Sequence, residues 1–123
     1  MNTVAIVLLA LAQDWPQFRG PDGQGHAKTT VAPQKWADGS DNIKWTTAID
    51  GLGWSSPVVG DGKIWLTSAT DGNKSLRAVC VDAMTGKVLH NVEVFKVDSP
   101  GPAHKKNSYA SPTPILDKDR VYV

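Results

Sequence analysis

The sequence predicts an all-β protein built from repeated four-stranded antiparallel sheets, and three observations carry that prediction. Between Trp54 and Val94, four short runs of strand-forming residues are separated by three turn signals. Two of these runs, Ile64-Trp65-Leu66 and Ala78-Val79-Cys80-Val81, are apolar at every position, so the sheet must be covered on both faces. Finally, Tyr109 to Val123 restates Trp54 to Leu66: an aromatic, a small residue, Ser-Pro, apolar residues, an acidic turn, a basic residue and a strand. The two Ser-Pro pairs lie 55 residues apart (112 minus 57), a period typical of repeat architectures. A second copy of the same sheet is the natural cover for the first.

Taken in order, the chain opens on the apolar run Val4 to Ala12, which ends Ala10-Leu11-Ala12 before Gln13-Asp14. An apolar core with a small-x-small end reads as a secretory signal over residues 1–12, although Met1-Asn2-Thr3 lacks the usual basic residue. The run is too short to span a bilayer. An arm and loop follow over 13–42. Asp14-Trp15-Pro16-Gln17-Phe18-Arg19-Gly20-Pro21 cannot be helical, and it reads as an extended segment that docks through Trp15 and Phe18. Arg19 is expected to bond carbonyls or an acid.

Residues 43–49 alternate Ile43, Trp45 and Thr47 on one face and predict a strand. The first complete sheet then occupies 54–94. Its strands are predicted at Pro57–Val59, Lys63–Ala69, Leu76–Val81 and Val88–Val94. Gly60-Asp61-Gly62, Thr70-Asp71-Gly72-Asn73 and Asp82-Ala83-Met84-Thr85-Gly86 form the turns between them. A Gly- and Pro-rich connection over 95–108 leads to the next sheet, begun at 109–123.

The run Ala78-Val79-Cys80-Val81-Asp82-Ala83-Met84-Thr85-Gly86-Lys87-Val88-Leu89 resembles the repeat of quinoprotein-like (PQQ-repeat) β-propellers. Blades of that family carry Ala-x-Asp-x-x-Thr-Gly-x and then an aromatic, a place held here by His90. The resemblance implies four-stranded blades around a central channel. It gives Asp82, Thr85 and Gly86 the role of a structural repeat motif. It also implies that strand 43–49 closes the ring by completing the last blade, leaving no exposed edge. A closed ring needs several blades of about 40–50 residues each, and Val121-Tyr122-Val123 stop in mid-strand. The 123 residues are therefore expected to be the N-terminal part of a longer protein, one whose isolated blade is prone to aggregate.

A net charge of +1 leaves no electrostatic footprint for nucleic acid or an anionic membrane. Cys80 is the only cysteine, lies within an apolar strand, and is expected to be a buried, inert thiol. His26, His90 and His104 lack metal-ligand spacing, and the serines lack a Gly-x-Ser-x-Gly elbow. Asp61, Asp71, Asp82, Asp117 and Asp119 all fall at turns. The cluster before the second Ser-Pro, His104-Lys105-Lys106-Asn107-Ser108-Tyr109-Ala110-Ser111, brings an imidazole, an ammonium, an amide and a phenol to the start of an innermost strand. Trp54 holds the matching place one repeat earlier. Trp54, His104, Lys106, Asn107 and Tyr109 are thus the candidate ligand- or partner-binding residues, beside a purely structural reading of the same loop.

Two functions follow from the resemblance. The first is a non-enzymatic, exported scaffold of the bacterial cell envelope, similar to the propellers of outer-membrane protein assembly, with an envelope protein or a polysaccharide as partner. The second is a periplasmic alcohol or sugar dehydrogenase that uses pyrroloquinoline quinone (PQQ) with calcium. No vicinal cysteines, Trp-rich cofactor floor or metal-binding acid on an inner strand occur in these 123 residues, which favours the scaffold.

Overall fold

The computed structural model describes residues 13–28, 33–37 and 39–123. The signal-like run at 1–12 lies outside the described residues. Among those described there is no helix. Six strands form a four-stranded sheet and a two-stranded one. The large sheet comprises β1 (Val58–Gly60), β2 (Lys63–Thr70), β3 (Ser75–Asp82) and β4 (Val88–Lys96) in the order β1-β2-β3-β4, a simple antiparallel meander. The smaller sheet pairs β5 (Ile115–Asp117) with β6 (Arg120–Tyr122).

The turns form where the sequence places them. Asp61 and Gly62 both take positive φ, 48° and 67°, the backbone that a two-residue hairpin between right-twisted strands requires. Asp71, Gly72 and Asn73 do the same between β2 and β3. Observed strands run one or two residues beyond the predicted ends, because the ladder continues through polar positions such as Thr70 and Ser75.

Burial supports the two-faced reading at the centre of the sheet. Ala78, Val79, Cys80 and Val81 are consecutive and all buried, so both faces of β3 are covered there. Val58 joins them from β1, and Pro114 is fully buried ahead of β5. Ile64, Trp65 and Leu66 are only half-buried. Cys80 is a free, buried thiol whose pKa is pushed up by that burial, partly offset by the positive charge of Lys63. β4 is exposed along its whole length, with Val92 at 53% and Phe95 at 59%, and its pairing with β3 is bulged at two places.

Residues 43–49 make no sheet pairing among the described residues, and the side chains of Trp45 and Thr47 bond to a turn. One expectation needs correction. Phe18 is 61% exposed and does not dock, whereas Trp15 does. Arg19 takes positive φ (63°), and its carbonyl accepts a bond from Gly25 N–H (2.7 Å). Its guanidinium makes no hydrogen bond or ion pair among the described residues.

Candidate functional site

The two repeats meet through their matching Ser-Pro segments. Trp54 N–H and Ser55 N–H both donate to the Ala110 carbonyl, at 3.0 and 3.2 Å, and Ser56 N–H donates to Thr113 Oγ1 at 3.0 Å. From β2, the Thr67 hydroxyl spans the carbonyls of Ala110 (3.2 Å) and Pro112 (3.3 Å). Ser55 completes the junction in an unusual way. β1 is only three residues long, so the upper half of β2 lacks a strand on that side. The Ser55 hydroxyl takes the role of a backbone unit, accepting from Thr67 N–H (3.0 Å) and donating to the Thr67 carbonyl (3.5 Å). Beyond it, Leu52 forms a single bridge to Ala69, with Gly51 and Gly53 pressed so close to β2 that a Cβ would fall 2.4 Å from the Ala69 oxygen and 2.6 Å from the Thr67 oxygen.

Of the predicted binding residues, Trp54 lies at this junction and Tyr109 immediately precedes its Ala110, while His104, Lys106 and Asn107 belong to the turn before it in the chain. Trp54 presents its side chain 65% exposed while its backbone is fixed against Ala110, directly after Tyr109. Asn107 Oδ1 accepts from the Ser111 hydroxyl, which also bonds the Ser108 carbonyl. The Tyr109 phenol donates to the Gly101 carbonyl and folds the connection back on itself. His104 closes the outer turn: its carbonyl accepts from Asn107 N–H (2.8 Å) and its Nδ1 from Lys106 N–H (3.2 Å). His104, Lys106 and Asn107 are exposed. Asn107, Tyr109 and His104 Nδ1 are therefore engaged in shaping the loop, whereas Trp54 and Lys106 are exposed and make no side-chain hydrogen bond among the described residues.

The repeat motif lies elsewhere and is fully occupied by its own turn. Asp82 Oδ1 accepts from Thr85 Oγ1 (2.8 Å), Thr85 N–H (2.7 Å) and Met84 N–H (3.0 Å). These bonds, led by the Thr85 hydroxyl and then its amide, hold the Asp82 carboxyl below the usual aspartate range. Gly86, at φ +74°, donates to the Asp82 carbonyl. The Trp45 ring packs over Gly86 so closely that a Cβ there would meet Trp45 carbons at 2.6 Å. Trp45 Nε1–H donates to the Ala83 carbonyl (3.2 Å) and the Thr47 hydroxyl to the Gly86 carbonyl. Sequence reading found the turn and missed this latch. The signal was available as a Trp two residues before a Thr, but nothing local says which turn such a pair will reach.

His90, which departs from the aromatic of the repeat, stacks on Trp65 across the sheet with ring centroids 6.1 Å apart and planes 16° apart.

Asp82 serves its own turn, Asp61 pairs with Lys63 at 3.0 Å, and no three acidic, His or Cys side chains converge among the described residues. No helix among them is long and apolar enough to cross a membrane. Comparison with protein families, curated proteins and solved structures finds no match.

Proposed function

We propose that the chain is part of an exported, PQQ-repeat-like β-propeller that acts as a non-enzymatic binding or scaffold module of the cell envelope. Its partner, an envelope protein or polysaccharide, is engaged at the rim formed by Trp54, His104, Lys106, Asn107 and Tyr109. One observation carries this reading: the two repeats are joined backbone to backbone at Trp54 and Ala110, and an exposed indole stands on that junction. A large exposed aromatic on fixed backbone loses little entropy on binding, and such residues dominate recognition surfaces.

The test has two arms. Sedimentation with purified envelope fragments should carry the protein down, and Trp54→Ala should release it with no change in melting temperature. Addition of PQQ with calcium should leave both the melting temperature and the quinone absorbance unchanged. A clear upward shift with bound quinone would replace the scaffold by the dehydrogenase.

A further inference from the structure

The arm before the first sheet makes a contact that neither the repeat motif nor the binding rim explains. Hairpin pairing sets the equivalence of the two repeats: Val58 faces Trp65 in β1–β2, and Ile115 faces Tyr122 in β5–β6. The repeats are thus offset by 57 residues here (115 minus 58), which makes Leu116 the counterpart of Val59. Each is the middle residue of a three-residue strand, and each turns its N–H away from its hairpin partner. Consecutive residues of the arm take up these two equivalent amides. Val59 N–H donates to the Trp15 carbonyl at 2.9 Å, and Leu116 N–H donates to the Pro16 carbonyl at 2.8 Å. Trp15 N–H returns a bond to the Val59 carbonyl at 2.7 Å.

The arm is built to hold this position. Pro16 restricts its own φ and presents its carbonyl without a competing N–H. The Trp15 ring lies on Gly20, where any Cβ would meet ring atoms at 2.8–2.9 Å, and Gly20 takes φ +81° to fold back beneath it. The fold-back is closed by Gly23 N–H to the Gly20 carbonyl and by Gly25 N–H to the Arg19 carbonyl. Where the two sheets approach, the Leu116 side chain packs on Gly60, and a Cβ there would come within 2.8 Å of it.

We infer that Asp14 to Gly25 form a strap that fastens the free edges of β1 and β5 to each other, one arm residue per repeat, and so sets the placement of one repeat against the next. The strap is separable from the sheets: it bonds only to outward-facing groups, and the β2–β3 ladder runs independently of it. It also occupies edge groups that would otherwise be open to pairing with another chain.

Amide hydrogen exchange on the full chain tests this without any partner, so its outcome is independent of the proposed function. In Gly20→Ala and in Trp15→Ala, the amides of Val59 and Leu116 should exchange together, about tenfold faster or more, as a local opening. Leu66 and Val79 should keep their protection, and Trp15→Phe should restore Val59 and Leu116 in large part. Unchanged exchange at both amides in both variants would overturn the strap. So would loosening of one amide without the other, or loosening of Leu66 and Val79 at the same time, since the arm would then be an integral part of the sheet.

Discussion

Replacing Gly86 by alanine tests the latch over the Asp82-Thr85-Gly86 turn. Two effects add at this position and a control separates them. Any L-residue at φ +74° carries a left-handed penalty of roughly 1–2 kcal/mol. Gly72→Ala measures that penalty alone, because Gly72 sits at φ +62° with nothing within 4 Å of its would-be Cβ. At Gly86 the new methyl also meets Trp45 at 2.6 Å and the Thr47 hydroxyl at 2.8 Å, so that segment must move away. It then loses the Trp45–Ala83 and Thr47–Gly86 bonds, each worth about 0.5–1.5 kcal/mol net. Gly86→Ala should therefore destabilise by about 1–3 kcal/mol more than Gly72→Ala in urea unfolding. The excess should shrink in a Trp45→Ala background and vanish when Thr47→Ala is added, because the sites are coupled. Equal costs for the two glycine variants, or strict additivity with Trp45→Ala, would refute the latch.

The lowered Asp82 pKa has a definite consequence with pH. A folded-state value below the unfolded one stabilises the protein at pH above the unfolded value near 3.9 and loses that contribution as pH falls through the folded value. Acid-unfolding curves should show that limb, and Asp82→Asn should flatten it. Ser55→Ala strips the Thr67 amide of its acceptor and should cost about 1–3 kcal/mol by urea unfolding, against a small effect for Ser111→Ala on the exposed loop. A double-mutant cycle between Trp65→Ala and His90→Ala should give a coupling of about 0.5–1.5 kcal/mol, and zero would remove the stack from the account. Val92→Lys places a charge on an exposed apolar edge strand and should raise soluble yield at unchanged melting temperature, measured after expression at matched levels.

The meander was legible because its information is local. Asp61-Gly62 and Asp71-Gly72-Asn73 name turns by their backbone tolerance, and Ala78 to Val81 announces burial on two sides. The Asp82 turn was equally readable, since an acid three residues before a Thr-Gly can satisfy its own amides. Less was legible where partners are distant in sequence. Alternation over 43–49 puts Trp45 and Thr47 on one face, but it does not show that their side chains reach a turn 38 and 39 residues away. No local signal marks Ser55, because nothing in its surroundings shows that β1 stops short and leaves half of β2 to be completed by a hydroxyl. At the candidate site, the grouping of Trp54 with residues 104–109 was inferred from the repeat, whereas the commitment of Asn107 and Tyr109 to internal bonds could only come from geometry.

That commitment narrows the chemistry available at the rim. A group already bonded within its loop must give up that bond to meet a ligand, and the net gain is then small. Tyr109 is bound to Gly101, Asn107 to Ser111, and His104 Nδ1 to Lys106 N–H, so these residues set the loop's shape. What remains to contact a partner is the Trp54 indole, the Lys106 ammonium and His104 Nε2, for none of which a bonding partner occurs among the described residues. Within the proposed scaffold reading, the flat apolar face of Trp54 suits a sugar ring or an aromatic side chain, and the Lys106 ammonium an anion. On that reading, Trp54→Ala and Lys106→Ala should both weaken envelope binding, with added salt reproducing only the lysine effect. Tyr109→Phe should instead act indirectly, by loosening the Gly101 end of the connection. If Tyr109→Phe weakened binding as much as Trp54→Ala while exchange at Asn107 and Ala110 stayed unchanged, the phenol would be a direct contact and this division of roles would be wrong.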